Sequence, residues 1–157
     1  GGFMVAAPLP ALQVARVSEV LSDAVNAAVN PKRIPGAVVR YTIAVTNSGP
    51  GAVDASSLVI TDPVPANSAL YVAAGGGGPV EFIDGTPASG LAFNVATDVS
   101  YSNQPGGGAP YNYTPVPDGQ GFDPLVTGVR IAPTGTMNAA SGASQPAFTI
   151  RLRVRVR

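Results

Sequence analysis

Apolar and polar positions alternate most regularly at the C-terminal end of the chain. Phe148, Ile150, Leu152, Val154 and Val156 alternate with Thr149, Arg151, Arg153, Arg155 and Arg157. A period of two held over ten residues predicts a half-buried strand. The same period recurs at 39–47. Val39, Tyr41, Ile43 and Val45 share one face; Arg40, Thr42, Ala44 and Thr46 share the other. That strand stops at Asn47-Ser48-Gly49-Pro50-Gly51, a dense turn signal that tolerates positive φ. A third alternation covers 12–20, with Leu12, Val14, Arg16, Ser18 and Val20 on one parity and Ala15 and Val17 on the other.

Shorter apolar runs at 57–61, 69–73, 80–83, 91–95, 99–102, 111–114 and 126–132 predict further strands. Pro and Gly punctuate them. One segment reads two ways. Val20, Leu21, Ala24, Val25, Ala28 and Val29 recur at helical spacing. Asn26, Asn30 and the three valines are moderate or poor helix formers, so a loop is the alternative. Together these patterns predict an all-β domain of seven to ten strands with long Gly/Pro-rich loops. An immunoglobulin-like two-sheet sandwich is its natural class, without the Trp and Cys pair of antibody domains.

Before the first strand lies a segment with no charge, residues 1–10. Phe3, Val5, Ala7 and Leu9 alternate with Met4, Ala6, Pro8 and Pro10. This N-terminal arm is separable from a sandwich domain at 11–157. An apolar arm needs something to bury it. It docks either on its own domain or, by donor-strand complementation, in the open sheet of a neighbouring copy. Repeated head to tail, the second arrangement makes an open filament. Phe3, Met4, Val5, Ala7 and Leu9 are the candidate donor residues.

Composition narrows the chemistry. The chain has 157 residues, with 19 Gly, 16 Pro and no Cys, His or Trp. Thiolate and imidazole metal sites have no ligands, and Ser-His-Asp or Cys-His nucleophile systems have no base. No paired carboxylates stand out for glycoside chemistry, so a non-enzymatic protein is expected. Only 11% of residues are charged, and the net charge is zero, which gives no general pull towards nucleic acid. No apolar run is long enough for a membrane-spanning helix. Gly1-Gly2 in place of an initiator Met reads as a processed chain, exported after removal of a signal peptide.

Charge is unevenly placed. The first 150 residues carry five basic and nine acidic side chains; the last seven add four arginines. Arg151, Arg153, Arg155 and Arg157 are either a contact face for acidic polysaccharide or an acidic neighbour, or the solvent face of an amphipathic strand. Asp118 and Asp123, in D-G-Q-G-F-D, are either hard-ligand partners for calcium or turn residues. No other cofactor is indicated. Tyr101, Tyr111 and Tyr113 are either a sugar-stacking platform or ordinary packing residues. Asn112-Tyr113-Thr114 is a formal glycosylation sequon inside an expected strand. The four glycines at 75–78 lack the Lys and Ser/Thr of a phosphate loop.

The run from Pro35 to Asn67 carries a resemblance. P-G-A-V-V-R-Y-T-I-A-V-T-N-S-G, then V-I-T-D-P-V-P, is similar to the "conserved repeat" surface domain of bacterial and archaeal envelope proteins. That resemblance implies an extracellular, immunoglobulin-like sandwich with an adhesive or structural role and no catalytic residues. The function expected is therefore a structural subunit of an extracellular bacterial surface filament, its partners being copies of itself. The alternative is a monomeric adhesive or carbohydrate-binding module that takes surface glycans.

Overall fold

The computed structural model describes residues 7–75 and 78–157. The chain is all-β. Its strands are β1 (Leu12–Ser22), β2 (Val38–Asn47), β3 (Ile60–Pro63), β4 (Ser68–Tyr71), β5 (Glu81–Asp84) and β6 (Leu91–Ala92), followed by β7 (Val99–Ser102), β8 (Phe122–Asp123), β9 (Gly128–Ile131), β10 (Thr134–Gly135) and β11 (Ala147–Val156). One helical turn, α1 (Val95–Asp98), precedes β7.

The strands form three antiparallel sheets. The largest has six strands in the order β1-β2-β11-β4-β8, with β5 also pairing β11. The second has three, β3-β9-β7; β6 and β10 make a small third. The long strands β2 and β11 lie side by side, Val45 opposite Phe148 and Tyr41 opposite Leu152. Their common face builds the core. Val39, Ile43, Val45, Phe148, Ile150, Leu152 and Val154 are buried, and Val129 and Ile131 of β9 complete one cluster with them. Complete burial of one such side chain stabilises the fold by about 1.5–3 kcal/mol.

The three longest expected strands correspond to β1, β2 and β11. One alternative left open is decided and one expectation is corrected. Residues 20–30 form no helix. β1 runs on to Ser22, and the buried Asp23 carboxylate then accepts the backbone N–H groups of Val25, Asn26 and Lys32, while Ala27 and Asn30 have φ of 52° and 47°. A right-handed helix admits neither. Residues 111–114 form no strand either: Tyr113 makes one isolated bridge to Tyr101, among the closely spaced Pro110, Pro115 and Pro117. Conversely, the two-residue strands β8 and β10 arise where no run was expected; their partners in space set them.

The turn after β2 also departs from expectation. Gly49 and Gly51 do not take positive φ. They are small because the incoming chain crosses them. A Cβ on Gly49 would lie 2.5 Å from the Leu9 carbonyl oxygen, and one on Gly51 2.6 Å from the Pro8 carbonyl carbon. Asn47 fixes the crossing. It is fully buried; its Oδ1 accepts from Ala11 and Gly49, and its Nδ2 donates to the Gly51 and Asn138 carbonyls. All of its hydrogen-bonding capacity is met within the protein.

Candidate functional site at an open sheet edge

The longest strand at a sheet end among the described residues is β1. It lies at the end of the six-stranded sheet and pairs with β2 alone among the described residues. The backbone directions follow from two hydrogen bonds. The Ser48 N–H donates to the Ala11 carbonyl, and the Asn47 N–H donates away from β1, to the Pro146 carbonyl. Antiparallel strands alternate in this sense. Residues 13, 15, 17 and 19 therefore bond to β2. Leu12, Val14, Arg16, Ser18 and Val20 turn their N–H and C=O groups outwards.

The side chains of β1 are also uncovered. Val14, Arg16, Ser18 and Val20 lie on the core side, opposite Val45, Ile43, Tyr41 and Val39. Val129 and Ile131 of the three-stranded sheet join β2 and β11 in one core cluster, but of β1 only the partly buried Val20 packs against it. So Val14 is 65% exposed while Val45 across the ladder is 1% exposed. On the opposite face Val17 is 62% exposed.

Natural edge strands are usually shortened, charged, kinked or interrupted by proline. Other edges here follow that rule. β3 has four residues, with Asp62 pointing inwards and Pro63 at its end. β8 has two. β5 carries Glu81 and Asp84, and β7 is bridged by Tyr113. β1 has eleven residues and no Pro or Lys. Its register is regular until the shift between Val20 and Ser22. Both of its charges are neutralised from within. Glu19 accepts from Arg40 at 2.7 Å. Arg16 lies 4.3 Å above the Tyr41 ring and reaches Asp62 at 3.3 Å. Arg16 and Asp62 thus close a small cleft between the two large sheets, lined also by Tyr41, Pro63, Val129 and Leu152. Burial pushes the Asp62 carboxyl above its usual pKa, and Arg16 only partly offsets that.

The candidate donor arm meets this edge at one end. Phe3, Met4 and Val5 lie outside the described residues. Ala7 and Leu9 are exposed, Leu9 at 70%. The backbone beside them is tied down: the Leu9 carbonyl accepts from Gly51 and the Ala11 carbonyl from Ser48.

The C-terminal arginines are drawn into their own sheet. Arg153 stacks on Tyr71 at 4.1 Å and Arg155 on Phe122 at 4.7 Å. Arg155 also donates to Asp118 and Gln120, both at 2.7 Å. The Nε atoms of Arg151 and Arg40 are buried without a hydrogen-bond partner among the described residues. Arg157 is exposed at the strand's end. Periodicity placed these residues on one face; the rings beneath them belong to β4 and β8, whose pairing had no local signal.

Asp118 and Asp123 act as loop closers. Asp118 accepts from the Gln120 and Phe122 N–H groups besides Arg155, and these bonds, the arginine's first, lower its pKa to about 2. The buried Asp123 accepts from Val116, Leu125 and the Tyr113 hydroxyl. Burial, with that last bond, raises the Tyr113 pKa. Tyr101 and Tyr113 pack against the core and Tyr111 is half-buried. No group of three or more acidic side chains able to hold a metal ion occurs among the described residues, and no helix there is long and apolar enough to cross a membrane.

No family model matches this chain, and neither curated proteins nor solved structures give a match to it.

Proposed function

We propose that this chain is a structural, non-catalytic subunit of an extracellular bacterial surface filament. In this reading the domain is an immunoglobulin-like sandwich of the conserved-repeat kind, and it polymerises by donating its uncharged N-terminal arm to the next copy. The observation that carries the reading is the open edge of β1, long, regular and with an exposed valine on each face. Such an edge associates with other strands unless it is protected. Strand addition satisfies its outward backbone groups, and alternate side chains of the added strand cover the apolar residues. The anchoring of Leu9 and Ala11 at the turn of residues 47–51 fixes where the arm leaves the domain. A fixed exit and a separate acceptor make a heterologous contact, which propagates when its rotation does not close.

Sedimentation velocity on the full chain and on a chain lacking residues 1–6 tests this. The deletion leaves Leu9 and Ala11 in place. Large assemblies are expected from the full chain and monomers from the deletion. Equal assembly by both would refute arm donation.

A further inference from the structure

We infer that the acceptor for the arm is the outward edge of β1, which the arm of the next copy joins as an added strand of the six-stranded sheet. This rests on the polymer reading and assigns its binding site. The occupant is residues 1–6 of a second copy.

Three observations point there. The first is backbone supply. From Leu12 to Val20 every second residue turns both its N–H and its C=O outwards, and no described strand takes them. The second is chemical match. Residues 12–15 carry no charge, and Leu12 and Val14 are exposed there on the core side, at 41% and 65%. The arm is uncharged too, with Phe3 and Val5 on one parity and Met4 and Ala6 on the other. A strand added at this edge places one parity beside Leu12 and Val14 and the other beside Ala15 and Val17. Six extended residues span about 20 Å, against about 30 Å for the nine positions from 12 to 20, so the arm fits within the edge.

The third observation separates a neighbour's arm from the chain's own. Leu9 and Ala11 point their carbonyls at the turn of residues 47–51, and the Pro8 carbonyl also lies against Gly51, so the even positions just before β1 do not repeat its regular outward alternation. Two of those positions are Pro8 and Pro10, which have no N–H. A hairpin returning from residues 1–6 meets that stretch first. It also needs two or more residues for its reversal. The edge with its full set of donors begins at Leu12, and a neighbour's arm reaches it without a reversal.

The backbone alternation supplies the test. Val14→Pro in the full chain removes an outward N–H and leaves the β1–β2 hydrogen bonds in place, whereas Val17→Pro removes a donor to β2. The Val14 variant is expected to keep the parent's circular-dichroism spectrum, to melt within a few degrees of it, and to lose at least tenfold in sedimentable polymer. Val14→Lys is the second variant if proline disturbs folding; its side chain is exposed and its charge opposes an apolar strand. Because the chain has no Cys, Val5→Cys combined with Val14→Cys adds the only thiols. Oxidation is expected to give a ladder of covalent multimers. Normal polymer from a folded Val14→Pro or Val14→Lys chain would overturn the edge assignment while leaving the polymer reading intact. A covalent dimer formed by Val17→Cys alone would also overturn it, because it identifies pairing of β1 with β1 about a two-fold axis. A parent chain that stays monomeric refutes both readings together.

Discussion

At the residue scale, Asn47 shows how a polar side chain organises an apolar neighbourhood. Its amide holds the β2 turn, the entering chain and the segment around Asn138 at one buried point. Asn47→Ala leaves at least two donors and two acceptors without partners. It is expected to cost on the order of 3 kcal/mol, measured by urea denaturation. Carboxylates give the pH dependence. The Asp23 pKa lies well below the usual carboxylate range, through its bonds to Asn26 and Lys32, and that of Asp118 falls to about 2 through Arg155. A lowered pKa adds stability above the unfolded value of about 3.9 and loses it as pH falls through the folded one. Asp62 has the opposite sign: its raised pKa favours folding at low pH, and that contribution disappears as pH rises. The melting temperature is therefore expected to fall between about pH 4 and pH 2. Asp62→Asn is expected to melt no lower than the parent at pH 7, despite losing its ion pair with Arg16. A lower melting temperature would show that the pair outweighs the burial of the charge.

At the element scale, β1 and β11 have similar alternation and opposite environments. β11 has strands on both sides and a sheet over its inner face, so Ile150 is fully buried. Ile150→Ala is expected to cost about 3–4 kcal/mol through the cavity it leaves. Val14→Thr on β1 is expected to stay within about 0.5 kcal/mol of the parent by the same denaturation assay. This contrast marks what the amino-acid pattern could reveal. Period two located β1, β2 and β11 because long strands carry their signal locally. It did not show that β1 is an exposed edge, because that depends on which strands pair with it in space. Apolar spacing at 20–30 resembled a helix, but the Asp23 carboxylate gathers N–H groups from a turn instead. β8 and β10, two residues each, pair through contacts distant in sequence. Of the candidate site, the arm's apolar character was legible. The open edge of β1 was not, because only the β1–β2 register separates inward from outward backbone groups.

At the scale of the whole molecule, asymmetry is the common theme. The six-stranded and three-stranded sheets contribute to one core cluster, and most of β1 lies outside it with exposed side chains. The scarce charge follows the same economy. The C-terminal arginines cover Tyr71 and Phe122 and neutralise Asp118, while Arg16 and Arg40 neutralise Asp62 and Glu19. Among the described residues, three acidic side chains thus find arginine partners inside the fold, and the two charges of β1, Arg16 and Glu19, are each paired in this way. Polymerisation through the β1 edge is the central claim. Negative-stain electron microscopy of the purified full chain tests it most directly. Unbranched filaments of one repeating subunit are expected. Fields of isolated particles at every concentration and ionic strength would contradict it.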